Sequence, residues 1–238
     1  MRITLAARCL SAALLLAAAP AAAFPMGGGF SLTGGASVVS DYRFRGISLS
    51  DEDPAVQATL NLNHASGFYV GIWGSSLADT PLYGSVELDF YVGWRREVAS
   101  GTTVDVGLLY YHYPGGRQAA GNSDYFEPYA SLTHDFGPVT GKIGAAYAWN
   151  QGAETGGGDN VYLYTDWTAP IPESPVTLRA HLGYSDGSLS PGGDYLEWTL
   201  GADIALGPAT LGISYVDTDL PSGPAVDAGI VLTLGIAF

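Results

Sequence analysis

The sequence predicts an all-β protein: a transmembrane antiparallel up-and-down β-barrel of about 12 strands, preceded by a cleaved signal peptide. Three observations lead to this prediction. The first residues have the pattern of an export signal. Apolar and polar residues then alternate with a period of two, which places successive side chains on opposite faces of a strand. Short and long connections also alternate between the strand-like segments.

The first 23 residues have the features of a secretory signal peptide. Arg2 and Arg8 give a basic start, Leu10 to Ala19 is an apolar run, and small residues favour cleavage after Ala23. The run is shorter than the roughly 20 residues that a membrane-spanning helix needs. We therefore expect a signal peptide at 1–23, a flexible leader at 24–30 and an outer-membrane barrel at 31–238.

The composition excludes several classes of protein. The single cysteine, Cys9, lies in the signal peptide, which excludes disulfides, cysteine-ligated metals and thiol catalysis from the mature chain. Loss of Arg2 and Arg8 takes the formal charge from −14 to −16, which argues against nucleic acid as a partner. No later apolar stretch is long enough for a transmembrane helix, so any membrane-spanning form must be a closed barrel.

Strict alternation defines the predicted strands. In the fourth segment Val86, Leu88 and Phe90 share one face, while Glu87 and Asp89 share the other. In this register charged side chains fall on the apolar faces only at the ends of segments. The predicted strands are 31–45, 55–64, 68–75, 85–96, 102–113, 124–135, 139–149, 160–169, 175–185, 194–205, 209–216 and 226–238.

The connections indicate how the barrel is oriented. Tight periplasmic turns and longer external loops are typical of outer-membrane barrels, and their alternation predicts an even strand count with both termini at the periplasmic end. Aromatic residues near the strand ends fit interfacial girdles. Phe238, which closes an alternating apolar strand, resembles the C-terminal signal that the barrel-assembly machinery recognises. We therefore expect outer-membrane lipid and this machinery as partners.

Four stretches of the first half carry specific motifs. They read SDYRFRGISLSDEDPAVQ at 40–57, SGFYVGIW at 66–73, ELDFY at 87–91 and YYHYPG at 110–115. These stretches resemble the TorF-family porins of proteobacteria, a family of conserved hypothetical outer-membrane proteins. The resemblance implies a barrel of pore function in the outer membrane of a Gram-negative bacterium, and it supplies no substrate.

Charged residues of the polar faces form two predicted groups in the lumen. The first group would set a transverse field at a constriction, because its arginines on the first strand oppose carboxylates on the fourth and sixth strands. Its members are Asp41, Arg43, Arg45, Glu87, Asp89 and Glu127. The second group alternates in sign on four consecutive strands, so neighbours can pair at about 0.2–1 kcal/mol each. Its members are Lys142, Asp166, Arg179 and Asp203. An alternative is that the second group only stabilises the wall.

We find no motif for catalysis, a metal or a cofactor, and we expect none. His112, near an external strand end, is either an interfacial histidine or part of a lipid-modifying site. The acidic run Asp51, Glu52 and Asp53 is either a solvated loop or, with Asp41, a site for a divalent cation.

A narrow pore is the function that these patterns favour. About twelve strands leave a lumen between those of filled eight-stranded barrels and open porins, suited to passive diffusion of ions or small polar solutes. The excess of inward carboxylates predicts a preference for cations. The alternatives are a structural or adhesive barrel with a plugged lumen and an outer-membrane lipid-modifying enzyme.

Overall fold

The computed structural model describes residues 23–116, 123–152 and 156–238. The predicted signal peptide lies outside the described residues, except for Ala23. Within these ranges the protein is all-β, and 12 antiparallel strands close into a barrel. No helix among the described residues is long and apolar enough to cross a membrane. The predicted fold class is confirmed.

The barrel strands follow one another around the wall, and the last strand pairs with the first. They are β2 (Phe30–Val39), β5 (Ala55–His64), β6 (Phe68–Thr80), β7 (Gly84–Ala99), β8 (Thr102–His112), β9 (Tyr125–Asp135), β10 (Thr140–Ala148), β11 (Asn160–Pro170), β12 (Val176–Gly187), β13 (Asp194–Leu206), β14 (Ala209–Thr218) and β15 (Gly229–Ala237). Three short strands accompany them: β1 (Phe24–Gly27), β3 (Arg43–Phe44) and β4 (Ile47–Ser48).

The two faces of the wall differ as the alternation predicts. Outward positions are apolar and exposed: Leu200 is 58% exposed and Ile143 is 59% exposed. Inward positions are polar, charged or tyrosine, and Glu87 and Tyr111 are each fully buried. This polarity is the reverse of a soluble barrel, because the apolar side chains lie outside and the charged ones lie inside.

The first predicted strand is too long. The wall strand β2 ends at Val39, and residues 40–54, hereafter the crossing segment, leave the wall; residues 41–50 fold into the lumen, whereas residues 51–54 are exposed. The chain turns at Arg45 and Gly46, whose φ angles are 49° and 82°. Asp41 accepts hydrogen bonds from the hydroxyls of Ser48 (2.6 Å) and Ser50 (3.3 Å), which hold the segment back on itself. The period of two continues through Phe44 although the chain has already left the sheet.

Part of the predicted leader is also a strand. Phe24 to Gly27 forms β1, which turns back against the start of β2, with Phe24 opposite Leu32. The rings of Phe24 and Phe238 lie 5.8 Å apart. The N-terminal hairpin therefore occupies the wall position beyond the end of β15. Both ends of the described chain lie at the end of the barrel that carries the short turns.

Candidate functional site

Tyrosines fill the half of the lumen that lies against β5 to β9. Their rings lie flat on the inner wall over glycines of the neighbouring strand: Tyr91 covers Gly71, and Tyr69 covers Gly93, where a Cβ atom would collide with the ring. The buried aromatic members of this tyrosine cluster are Tyr42, Tyr69, Trp73, Tyr91, Tyr111, Tyr113 and Tyr125. The cluster confines any passage to the opposite half of the lumen.

The crossing segment is fixed to this tyrosine half by charged hydrogen bonds. Arg45 donates to both carboxylate oxygens of Glu127, at 2.8 and 2.7 Å. Tyr42 donates to Glu87 at 3.0 Å, and Tyr111 donates to Glu127 at 3.0 Å. Burial alone would lower the pKa of Arg45, but the Glu127 carboxylate raises it and the net direction is upward. The guanidinium therefore stays charged.

The same segment also reaches the far wall. The Tyr195 hydroxyl on β13 donates to the Arg45 carbonyl at 3.0 Å, and the Arg45 guanidinium lies 4.0 Å from the centre of the Tyr162 ring on β11. Gly46 packs so closely against Thr218 and Glu197 that a Cβ atom would collide with both. The segment thus crosses the lumen from β9 to β13 and β14, and Arg45 lies at the crossing.

The six predicted constriction residues all lie inside the barrel, but their arrangement differs from the prediction. Arg43 and Arg45 are on the crossing segment and not on the first strand. Arg43 pairs with its near neighbour Asp41 at 2.6 Å, and Arg45 pairs directly with Glu127 at 2.7 Å. The charges therefore meet as ion pairs within the lumen and do not face each other across an open gap. The chain turn at Gly46, which strand periodicity cannot show, brings them together.

Asp89 is a buried carboxylate without a hydrogen bond among the described residues. It is 2% exposed, and its Oδ1 atom has no partner. Its cross-strand neighbour on β6 is Trp73, whose indole Nε1 is also unpartnered. Both side chains face the tyrosine cluster. An ordered water between the two atoms would satisfy both groups.

The predicted charge ladder exists as two separate ion pairs. Lys142 contacts Asp166 at 3.0 Å across β10 and β11, and Arg179 contacts Asp203 at 2.9 Å across β12 and β13. The ladder is not continuous, because the residue opposite Asp166 on β12 is His181 and not Arg179.

His181 is a candidate site residue that the sequence prediction missed. Its Nδ1 atom lies 2.6 Å from Asp166 Oδ1, and its Nε2 atom lies 2.6 Å from Glu197 Oε1. Tyr162 donates to the same Glu197 oxygen at 2.5 Å. Only a protonated imidazole has two N–H donors, so the geometry fits the imidazolium form between two carboxylates. The alternation of β12, which places Arg179 inside, also places His181 inside and could have revealed it.

A cavity of about 210 Å³ remains between the crossing segment and the wall from β10 to β15. Its lining includes Arg43 and Arg45 on one side, and Arg179, His181 and Glu197 on the other. Hydroxyls from Thr199, Ser214 and Thr233 lie between the charged groups. This cavity, which is large enough for solvent, lies next to the candidate site residues.

The sequence family is shown by a match over most of the chain. Residues 23–229 match the sequence model of a family described as a bacterial protein of unknown function, Gcw_chp. The chain belongs to the Gcw_chp family. The match does not confirm the TorF name. No curated protein is significantly similar in sequence to the chain.

Solved porin structures share the fold of this Gcw_chp protein. The NanC porin superposes with a TM-score of 0.57 at 13% identity, covering 87% of this chain and 98% of that one. The KdgM porin, in complex with disordered oligogalacturonate, superposes with a TM-score of 0.57 at 7% identity, covering 87% and 97%. At such low identity the likeness concerns the fold.

Carboxylates outnumber cations in the described part of the Gcw_chp lumen. Eight inward carboxylates belong to Asp41, Glu87, Asp89, Asp105, Glu127, Asp166, Glu197 and Asp203. Five inward cations belong to Arg43, Arg45, Arg95, Lys142 and Arg179, each with an ion-pair partner among these carboxylates. The last predicted strand, 226–238, starts too early, because β15 begins at Gly229 and Asp227 is exposed in an external loop. The imidazolium form of His181 contacts Glu197, so the two carboxylates without a cation in the described lumen are Glu87 and Asp89.

The two alternative sites are the one at His112 and the one formed by the acidic run 51–53 with Asp41. His112 contacts Asp124 at 2.8 Å, and its ring has no other hydrogen bond within the described ranges. Burial would raise the pKa of Asp124, but hydrogen bonds from the Tyr113 amide, His112 and Tyr110 lower it overall. Asp41 is buried among hydroxyls, whereas the acidic run 51–53 is exposed. No cluster that could hold a metal occurs in the part of the chain described.

Proposed function

We propose that this Gcw_chp protein is a narrow pore in the outer membrane of a Gram-negative bacterium, through which ions and small polar solutes diffuse with a preference for cations. The observation that carries the proposal is the polarity of the wall. The barrel exposes apolar side chains around its outside and buries charged side chains within its lumen.

The outer surface suits lipid better than water. Apolar side chains of β12 to β15 that are about half exposed include Leu182, Leu200, Ile213, Leu232 and Leu234. A continuous surface of this kind is far larger than the apolar patches that soluble monomers expose. In a closed barrel every strand is hydrogen-bonded to a neighbour on both sides, so no sheet edge has unpaired backbone N–H and C=O groups. A lipid environment requires such pairing. The shared fold with porins supports the same placement.

The crossing segment would be the constriction of the pore. It is tied to both sides of the lumen through Arg45, which leaves the cavity along β10 to β15 as the free space. A passage of this size suits partly hydrated ions and compact solutes. It would exclude larger ones.

The lumen charge favours cations over anions. Fixed charge along a narrow passage between low-dielectric walls biases which ion enters. The KdgM structure holds oligogalacturonate, an acidic saccharide. The two carboxylates in excess of the cations in this lumen disfavour such a polyanion, so we propose a different class of solute for this chain.

A planar bilayer recording on the refolded protein tests the proposal. We expect small single-channel conductance steps in KCl and a reversal potential in a salt gradient that shows cation preference. A clear preference for anions would contradict the proposed selectivity. Absence of any conductance would favour the second candidate, a plugged structural barrel, which the passage of residues 41–50 across the lumen also permits.

Phe238 is the proposed contact with the barrel-assembly machinery. It follows the alternating outward positions of β15, its ring lies over Gly34, and it is 40% exposed. Deletion of Phe238 should lower the amount of folded barrel in the outer membrane of expressing cells. Refolding of the purified chain into detergent, which needs no machinery, should change far less. Equal losses in both assays would indicate a packing role alone.

A further inference from the structure

The cavity beside the crossing segment is lined by two charged groups, Arg179 and Glu197, that the pore function does not explain by itself. We call these two groups the poles of the cavity. We propose that it is a binding subsite for a compact zwitterion with an ammonium group and a carboxylate at opposite ends, of the size of a dipeptide of small residues. The inference rests on the proposed pore for access of the solute to the cavity.

Arg179 forms the pole for a carboxylate. Its side chain is 10% exposed and lines the cavity. It donates one hydrogen bond, to Ser214 at 3.1 Å, whereas its Nε atom lies 2.9 Å from Asp203 without hydrogen-bond geometry. A guanidinium has five N–H donors and binds carboxylates in a bidentate manner. The donors left over by Ser214 are therefore suited to a carboxylate in the cavity.

Glu197 forms the pole for an ammonium group. Its side chain is 3% exposed and lines the same cavity. Tyr162 and His181 both contact the Oε1 atom, and the structure shows no partner for Oε2 among the described residues. Oε2 is not among the enclosed side-chain atoms without a partner, so it is accessible from the cavity, where an ammonium group would donate a charge-assisted hydrogen bond to it. Oε2 is therefore the acceptor for a cationic end.

The spacing of the two poles sets the size of the solute. Gly201, opposite Arg179 in the ladder of β12 and β13, lies four residues beyond Glu197. At about 3.3 Å per residue, the two α-carbon positions are about 13 Å apart along the wall. The side chains span part of this length, and we propose that the two charged ends of the solute span the remainder. A cavity of about 210 Å³ holds a dipeptide of small residues.

The charge balance of the cavity favours a solute without net charge. Four carboxylates line it, against three guanidinium groups and the imidazolium form of His181. An ion with a single charge would leave one pole unmatched. A zwitterion satisfies both poles and leaves the balance unchanged.

Three peptides with the same two glycines and different end groups test the inference. They are glycylglycine, its C-terminal amide and its N-acetyl derivative, titrated calorimetrically into the refolded protein in detergent. Because each matched charged end contributes about 1.4 kcal/mol, or tenfold in affinity, we expect glycylglycine to bind about tenfold more tightly than either singly charged analogue. Equal affinity for the three peptides, or no binding of glycylglycine, would overturn the inference.

Two substitutions assign the poles. Arg179→Gln should weaken binding of glycylglycine and the acetyl derivative but not of the amide, and Glu197→Gln should weaken glycylglycine and the amide but not the acetyl derivative. Arg95→Gln, which removes a lumen cation paired with Asp105 outside the cavity, is the control and should change none of them. If Arg179→Gln does not fold, Arg179→Lys keeps the charge and should retain the preference for a carboxylate. Uniform losses for all peptides would overturn the assignment.

The conductance of the same preparations separates this inference from the proposed pore. Peptide discrimination without conductance in KCl would leave the subsite in place and contradict the pore. Conductance without peptide discrimination would contradict the subsite and leave the pore in place.

Discussion

Arg45 is the residue on which the position of the crossing segment depends most. It bonds to Glu127 on β9 with its guanidinium and to Tyr195 on β13 with its carbonyl. Loss of the guanidinium removes a buried charge-assisted pair from one side of the crossing. The Glu127 carboxylate then remains in the lumen without its cation.

The double variant Arg43→Gln with Arg45→Gln should therefore change ion selectivity. We expect the reversal potential in a KCl gradient to move further toward cation preference, because two positive charges leave the narrowest part of the lumen. Single-channel conductance should rise as the segment loosens. An unchanged reversal potential would show that the ions do not pass near these residues.

Lys142→Gln is the matched substitution away from the constriction. Lys142 is 4% exposed and paired with Asp166, so its removal takes away one of two cationic partners of a buried carboxylate, and His181 remains as the other. Breaking a buried pair costs about 3–5 kcal/mol when the remaining charge is uncompensated, so we expect a smaller decrease in the free energy of unfolding in urea titrations into lipid vesicles and little change in selectivity. Arg95→Gln should cost less, since its side chain is 20% exposed. A selectivity change larger than that of the double variant would contradict the wall-stabilising role.

Substitution of Gly46 tests how tightly the crossing segment packs against the wall at β13 and β14. Its φ of 82° and its contact with Thr218 and Glu197 leave no room for a side chain. Gly46→Ala should displace the segment and alter the conductance. Gly207→Ala is the control, because Gly207 has a similar φ of 64° with nothing near its Cβ position. It should carry the backbone strain of about 1–3 kcal/mol without a change in conductance.

At the scale of elements, the crossing segment is the part that the sequence did not predict. The alternation placed the wall strands correctly because each has one apolar outward face and one polar face toward the lumen, and that pattern is local. Ser40 to Arg45 continues the alternation, but hydrogen bonds from Ser48 and Ser50 to Asp41 and left-handed turns at Arg45 and Gly46 take it out of the sheet.

Like the fold, the candidate site could be predicted from the sequence only in part. Strand parity placed Glu87, Asp89 and Glu127 inside the barrel, and it also paired Lys142 with Asp166. It could not show that Arg45 reaches Glu127, because that contact joins residues separated by 82 positions through a loop. Contacts between loops and walls depend on three-dimensional packing that periodicity does not encode.

Removal of the β3–β4 hairpin, residues 43–48, tests the element directly. With two glycines in place of the six residues, the lumen should lose its constriction, and we expect at least about a twofold rise in single-channel conductance with weaker discrimination between ions. Replacement of residues 188–193, an external loop between β12 and β13, by two glycines is the control. An equal conductance change in both variants would show that the crossing segment does not limit the passage.

At the scale of the whole molecule, the apolar outer wall determines the environment in which the protein is stable. Leu200 lies at the middle of β13 and is 58% exposed, while Leu196 lies nearer the external end and is 39% exposed. In a bilayer, Leu200→Arg should cost about 2–4 kcal/mol and Leu196→Arg about 0–1 kcal/mol, since the cost falls toward the interface. Urea unfolding in lipid vesicles measures both. Equal costs would contradict the proposed depth of β13 in the membrane.

The pairing of β15 with β2 has a consequence for how the protein is made. Every other barrel ladder joins strands that follow each other in the chain, so each can form soon after its hairpin is complete. The ladder that pairs Thr233–Ala237 with Gly35–Val39 cannot begin until the last residues have arrived. Before that moment the chain is at best an open sheet with two bare edges, and bare edges recruit other chains. A copy truncated before β15 should therefore accumulate as aggregate or be degraded, because the full circle is the first state in which no edge is left unpaired.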